Sequence, residues 1–217
     1  MEVLELQPGL WRWTAPHPDW TPDEGGPDGW DPIVGCLYHE APDAVVLIDP
    51  LVPAGEEGDR FWRALDRDVE RAGRPVAVLL TVFWHERSAP AVMERYGASL
   101  WADERGLDRL SVAATHTVRP GHPLPGGIHA FDAVGRNELV LWLPEHHALV
   151  PGDILLGGGN GDIRLCPESW LHRDQNRQSV RRALRHLLEL PIEQVLLSHG
   201  EPVLERGHEA LAKALAA

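Results

Sequence analysis

Histidine and acidic side chains follow three short apolar segments of this 217-residue chain, and they are the first candidates for chemistry. His85 and Glu86 lie in the stretch TVFWHERS, Asp153 lies in LVPGDIL, and His199 lies in VLLSHG. Imidazoles and carboxylates bind divalent cations and move protons in active sites. Each stretch therefore carries a candidate metal-binding or acid–base residue.

A cysteine–histidine pair and a glycine-rich stretch are weaker candidates. Cys166 and His172 could act as a nucleophile and its base, although a buried structural thiol is the interpretation we favour for Cys166. The stretch GGGNGD is not followed by the Gly-Lys-Ser/Thr of a phosphate-binding loop. His146 and His147 fall in a predicted turn, where we expect solvent to surround them.

The composition disfavours several classes of partner. Hydrophobic residues make up 43% of the chain, enough for a substantial core, and the formal net charge is −13. This charge repels nucleic-acid backbones and anionic lipids, so we expect a small-molecule partner rather than nucleic acid or a membrane. The two cysteines form no disulfide framework and the first residues lack a signal-peptide pattern. We therefore expect an acidic cytoplasmic protein.

Strand and helix patterns alternate along the chain. Apolar residues at helical spacing predict helices at 58–71 and 176–188, with strands between and around them. Residues 15–32 are rich in Pro, Gly and Asp and predict a long loop. Trp20 and Trp30 in this loop either cover a pocket as part of a lid or pin the loop to the body. Helices flanking two packed sheets fit this order of elements.

Three segments, in this order, resemble landmarks of the metallo-β-lactamase superfamily. AVVLIDP is similar to the strand that ends in Asp before the first helix, and LLTVFWHERS lies where the family carries a His-x-His-x-Asp-His-Ser turn. LVPGDIL and VLLSHG resemble its strand–Gly–Asp and terminal strand–Ser–His–Gly elements. The resemblance spans residues 44–200. It implies an α/β fold, the αββα sandwich, built as a single domain over residues 1–217.

The family's metal-binding turn is altered in this chain. When Thr81 and Ser88 are kept in register, the three histidines of the turn correspond to Val82, Trp84 and Arg87, and its aspartate corresponds to Glu86. The resemblance further matches the family's bridging aspartate to Asp153 and its last histidine to His199.

The family's remaining histidine has two candidate positions. His122 lies in a matching Pro-Gly-His sequence, but it precedes Asp153 by 31 positions. Arg136, just before the predicted strand 138–143, fits the family spacing better. We favour Arg136 and expect His122 in a surface turn.

These substitutions predict one metal ion at most. Valine offers no lone pair and the indole nitrogen only donates, so one of the family's two zinc sites lacks its ligands. Glu86, Asp153 and His199 could still hold one zinc, iron or manganese ion. Arg87 instead favours a metal-free site in which it pairs with Asp153 or Glu86. A dinuclear zinc centre is disfavoured.

His85 falls between two of the altered ligand positions. A histidine placed there more often packs against its own loop or bonds to the backbone. A local shift of the turn would instead aim it at Asp153 and His199. The sequence leaves both alternatives open.

Two functions are consistent with these residues. The first is a hydrolase-like enzyme acting on a small molecule, with Asp153, His199, Glu86 and His85 as candidate catalytic residues. The second is a metal-free pseudoenzyme that uses the pocket where the family has its active site for ligand binding or interaction. The candidate substrate-binding residues are Arg87, Trp84, Arg136 and Trp30.

The metal decides between these functions. Zinc-bound water has a pKa of about 7, against 15.7 for bulk water, so forming hydroxide without the metal costs roughly 12 kcal/mol more at neutral pH. A metal-free protein is therefore not expected to hydrolyse lactams, lactones or phosphodiesters.

Overall fold

The computed structural model describes residues 1–26, 28–133 and 137–216, and most of its strands form two sheets. The first sheet has seven strands that lie in chain order. They are β1 (Val3–Gln7), β2 (Leu10–Pro16), β3 (Ile33–Glu40), β4 (Val45–Ile48), β5 (Val76–Leu79), β6 (Ser99–Asp103) and β7 (His116–Val118). Neighbouring strands are antiparallel from β1 to β4 and parallel from β4 to β7.

The second sheet has four strands and lies against the first. In chain order they are β8 (His129–Asp132), β9 (Leu139–Leu143), β10 (Ala148–Val150) and β13 (Gln194–Val195). Strand β10 lies between β9, which is antiparallel to it, and β13, which is parallel. Strands β11 (Leu155–Gly159) and β12 (Asp162–Leu165) form a separate hairpin.

Helices cover the outer faces of both sheets. Among the described residues, the α-helices are α1 (Gly55–Ala72), α2 (Ala89–Tyr96), α3 (Arg177–Leu184) and α4 (Gly207–Ala216). Side chains of α1 and α2 pack on the first sheet, and those of α3 and α4 pack on the second. This is the predicted four-layer αββα sandwich. The helix predicted at 176–188 ends earlier, because its last turn is a 3-10 turn over Arg185–Glu189.

Alternation along the central strands produces three apolar layers. In β4, Val45 and Leu47 face the helices, whereas Val46 and Ile48 face the second sheet. In β9, Leu141 faces the first sheet and Val140 and Trp142 face α3 and α4. Both faces of these strands are buried, which explains their continuous apolar sequences.

The carboxyl ends of two parallel pairs, β4 with β5 and β10 with β13, meet at one edge of the sandwich. Backbone hydrogen bonds join the sheets there, from Leu139 N to Thr81 O at 2.8 Å and from Gly35 N to Ser198 O at 2.8 Å. Loops that follow parallel strands at such an edge commonly build ligand sites. Within the described residues, no helix combines the length and apolar composition needed to cross a membrane.

Candidate metal centre

His85, Asp153 and His199 converge at this edge of the sandwich, and all three are buried. Asp153 Oδ1 lies 3.2 Å from His85 Nε2 and 3.2 Å from His199 Nε2. This Oδ1 atom makes no well-aligned hydrogen bond with any described residue. Two imidazoles and one carboxylate thus surround a common point.

Asp49 and Thr81 orient His85. Asp49 Oδ2 lies 2.9 Å from His85 Nδ1 and accepts a 2.5 Å hydrogen bond from the Thr81 hydroxyl, while Oδ1 accepts from Thr81 N at 2.8 Å. Because a carboxylate accepts, Nδ1 of His85 carries a hydrogen. A neutral His85 then presents the lone pair of Nε2 to Asp153. Such a second carboxylate behind the histidine is the usual support of a metal-bound imidazole.

Asp153 is held by groups on its other side. The indole of Trp84 donates to Asp153 Oδ2 at 2.8 Å. Glu138 Oε1 accepts hydrogen bonds from the backbone of Asp153 and of Ile154. Gly152 has a φ of +59°, and a Cβ there would overlap the Glu138 carboxyl group. This glycine therefore permits the turn that places Asp153.

The buried charges shift three pKa values in the site. Burial and Arg87 lower the pKa of His85, but the carboxylates of Asp153 and Asp49 outweigh them and raise it to about 9. Burial raises the pKa of Asp153, yet the two neighbouring histidines hold it well below its usual value. Burial and the Asp153 charge raise the pKa of Glu138 well above normal. The negative charge at Asp153 therefore needs a cation beside it, supplied by a proton or a metal.

The structure adopts the inward alternative for His85 and separates Glu86 from the other candidates. A 3-10 turn over Phe83–His85 aims His85 inward. The Glu86 carboxylate accepts 2.9 and 3.0 Å bonds from the backbone of Ser111 and Val112 instead. The predicted convergence of Glu86 with Asp153 and His199 is therefore wrong, because backbone N–H groups in a neighbouring loop satisfy this side chain.

Arg87 also differs from its prediction. Its guanidinium donates to the carbonyl oxygen of Asp49 at 3.2 Å, and no ion pair joins it to a carboxylate in the described chain. The expected Arg87–Asp153 and Arg87–Glu86 pairs are thus absent from the described contacts. The Nε atom of Arg87 is buried without a partner among these residues. Both Arg87 and Asp49 have positive φ, 38° and 50°, a conformation that non-glycine residues tend to keep at functional sites.

A cavity of about 480 Å³ opens onto the three converging residues. Trp30 lies across it, with its ring 4.9 Å from that of His199, and Trp20 donates to the Trp30 carbonyl oxygen at 3.0 Å. Trp84, Trp170 and Arg87 complete much of the wall. Trp30 therefore lies where the lid alternative predicts it, whereas the Trp20 hydrogen bond joins two parts of the same loop.

The other sequence candidates lie elsewhere. Val82 is buried and apolar, and His122 is exposed as expected. Arg136, the favoured match to the family's remaining histidine, lies outside the described residues. Cys166 is buried in the core beside α3 and α4, as favoured. His146, expected in solvent, is instead buried beside His39.

The donor set fits a zinc-like ion. Ligands about 2.0–2.2 Å from a tetrahedral ion lie roughly 3.3 to 3.5 Å from one another, close to the 3.2 Å separations around Asp153 Oδ1. A ligand atom from each of His85, Asp153 and His199 lies within 4.8 Å of the other two. Two imidazoles, one carboxylate and an open position match the ligands of catalytic zinc sites.

Solved structures resemble this fold, whereas no family model and no curated protein sequence matches the chain. A metallo-β-lactamase from Pontibacter korlensis has a TM-score of 0.70 and 16% identity, over 99% of this chain and 97% of that chain. A metallo-β-lactamase from Hirschia baltica has a TM-score of 0.69 and 17% identity, over 99% and 96%. The metallo-β-lactamase FIM-1 from Pseudomonas aeruginosa, in its mono-zinc form, has a TM-score of 0.67 and 15% identity, over 99% and 94%. The chain therefore has the metallo-β-lactamase fold.

Proposed function

We propose that the protein is a mononuclear metallo-hydrolase acting on a small molecule, with His85, Asp153 and His199 as the metal ligands. One observation carries the proposal: Asp153 Oδ1 lies 3.2 Å from two imidazole nitrogens in a buried pocket without a well-aligned hydrogen bond among the described residues. Leaving a carboxylate oxygen buried in this way is costly unless a cation completes it.

The side chains around Asp153 support one ion rather than two. A second ion bridged by this carboxylate would need Oδ2, which already accepts the Trp84 indole hydrogen. Val82, at another ligand position of the family, is apolar. The degenerate turn therefore favours the mononuclear site. FIM-1, which shares the fold, has been crystallised with one zinc.

The remaining residues of the pocket position a substrate and protect the site. A bound zinc ion would lower the pKa of water and polarise a carbonyl group. Asp49 keeps the proton on Nδ1 of His85, so that Nε2 stays directed at the site. Arg87, which lacks a carboxylate partner among the described residues, would bind an anionic group of the substrate. Trp30 and Trp170 would cover its apolar part.

The metal-free pseudoenzyme is the competing proposal. In that case a proton on His85 would balance the charge of Asp153, as the raised pKa of His85 allows. The two proposals differ in the species that lies between the imidazoles and the carboxylate.

Metal content of matched variants tests the proposal. The parent chain, Asp153→Ala and the control His122→Ala, which changes an exposed histidine, would be loaded with zinc, freed of excess metal and analysed by mass spectrometry. We expect Asp153→Ala to contain one ion fewer than the other two. His85→Gln, checked by circular dichroism, gives a second reading if Asp153→Ala folds poorly.

Activity is then measured on a chromogenic cephalosporin, a lactone and a thioester. We expect turnover of at least one substrate by the parent and His122→Ala, and none by Asp153→Ala. Equal metal content in the parent and Asp153→Ala would contradict the proposal. A loss of two ions in Asp153→Ala would contradict its mononuclear form.

A further inference from the structure

A second group of buried histidines lies at the opposite edge of the sandwich. His39, near the end of β3, pairs with Val46 at the start of β4, whereas Asp49 follows the end of that strand. His146 lies in the turn between β9 and β10. His39 Nδ1 and His146 Nε2 are 3.1 Å apart, and both residues are buried.

The partner of His39 fixes where its hydrogen lies. Its Nε2 atom is 3.0 Å from the carbonyl oxygen of Gly126. A carbonyl oxygen only accepts, so Nε2 carries the hydrogen. In a neutral His39 the lone pair is then on Nδ1, which faces His146.

The partner of His146 fixes its hydrogen in the same way. The Gln7 amide nitrogen donates to the main-chain oxygen of His146 at 3.2 Å, which turns the Gln7 amide oxygen toward His146 Nδ1 at 3.1 Å. An amide oxygen only accepts, so Nδ1 carries the hydrogen. A neutral His146 therefore directs the lone pair of Nε2 at His39.

Two lone pairs thus face each other across 3.1 Å, an arrangement that requires a cation between them. A proton held between the two rings is one candidate. A metal ion is the other. Two imidazole nitrogens bound to one tetrahedral zinc lie roughly 3.3 Å apart, close to the spacing here.

Glu145 supplies a third ligand beside this pair. A ligand oxygen of its carboxylate lies within 4.8 Å of a ring nitrogen of each histidine. The side chain is exposed, so it gives an ion a route in from solvent and leaves room for a water ligand. The second ring nitrogen of each histidine is bonded to an acceptor, as is usual for metal-bound histidines.

We propose that His39, Glu145 and His146 form a second divalent-cation site, of the kind that binds zinc. The site would be structural, since it joins a strand of the first sheet to a turn of the second sheet. It does not depend on the catalytic proposal, because it shares no ligand with His85, Asp153 and His199.

Zinc titration of matched surface variants tests this site. Glu145→Gln replaces a charged ligand with a neutral one, and Glu205→Gln changes an exposed glutamate outside the cluster. Calorimetric titration of chelator-stripped protein should show two zinc ions in the parent and in Glu205→Gln. In Glu145→Gln one of them should bind at least roughly 10- to 100-fold more weakly, since this is the cost of losing even a group that only supports a metal ligand.

Cobalt gives an independent readout. His146→Gln should remove the visible absorption of one tetrahedrally bound Co²⁺ per chain, whereas Asp153→Ala should remove only the other. Zinc affinities unchanged in both Glu145→Gln and His146→Gln would overturn the proposal. Complete loss of zinc binding in the Asp153→Ala variant would also overturn it, because the second site would then be empty in that variant. A parent chain that binds a single zinc ion, weakened by Glu145→Gln and unaffected by Asp153→Ala, would instead count against the catalytic site alone.

Discussion

Chelator-treated protein should become less stable as the pH rises from 6.5 to 9, because His85 must then give up its proton. The pKa of His85 is raised to about 9 in the folded protein by the carboxylates of Asp153 and Asp49, which outweigh burial. An unfolded histidine titrates near 6.5. The protonated side chain therefore favours the fold, fully below pH 6.5 and progressively less up to about pH 9.

The size of this effect follows from the difference between the two pKa values. About 2.5 pKa units at about 1.36 kcal/mol each give a loss of about 3 kcal/mol in the free energy of unfolding over this range. Burial lowers the pKa values of His17 and His146, so their effects lie below pH 6.5. Burial raises the pKa of Glu138 well above normal and that of the Cys36 thiol to about 11, and both groups also reduce stability as the pH rises. A variant that lacks only His85 keeps these contributions, so the difference between the two proteins reports His85.

Urea unfolding at pH 6.5, 7.5, 8.5 and 9, in the presence of chelator, measures the change. His85→Gln is the control and should show a much shallower decline over the same range. Saturating zinc should abolish the decline that His85 causes, because the ion replaces the proton on His85 Nε2 in the folded protein and the unfolded histidine is also neutral above pH 6.5. A flat profile in the parent, or the same decline in His85→Gln, would refute this reasoning.

Two further substitutions test the groups that hold Asp153. Trp84→Phe removes the 2.8 Å hydrogen bond to Asp153 Oδ2 and should lower the free energy of unfolding by about 1.5–3 kcal/mol in urea titrations; no change would mean that solvent replaces the indole. Gly152→Ala puts a Cβ against Glu138 at a φ of +59° and should lower the free energy of unfolding by about 1–3 kcal/mol. It should also weaken zinc binding in calorimetry. A zinc affinity equal to that of the parent would show that the turn does not set the position of Asp153.

The fold was predictable from the sequence because its signals are local. A strand buried on both faces has a continuous apolar sequence, and β5 at Val76–Leu79 has one. A glycine that ends a helix is another local signal, and Gly97, which follows α2, has the left-handed conformation of a helix C-cap. The end of helix α3 was less predictable, because apolar spacing does not distinguish a last α-helical turn from a 3-10 turn.

The candidate site was only partly predictable, because the contacts that orient its side chains are distant in sequence. Asp153 and His199 each follow a strand, and their positions came from the family resemblance. The orientation of His85 depends on Asp49, 36 positions earlier. Glu86 was assigned to the site from its place in the turn, but backbone donors near residue 111 draw it away.

The pairing of His39 with His146 was not predictable from the sequence, for the same reason. His146 lies in a turn, which predicted exposure to solvent. Its burial results from Gln7 and His39, which lie 139 and 107 positions away in sequence. Only the packing of the two sheets brings these three side chains together.

The most direct test of the metal centre is a crystal structure of the zinc-loaded protein, with diffraction data collected on both sides of the zinc absorption edge. We expect one anomalous peak about 2.0–2.2 Å from His85 Nε2, Asp153 Oδ1 and His199 Nε2, with the Trp84 indole still bonded to Asp153 Oδ2. A pocket with no anomalous peak, or with two ions bridged by Asp153, would contradict the account.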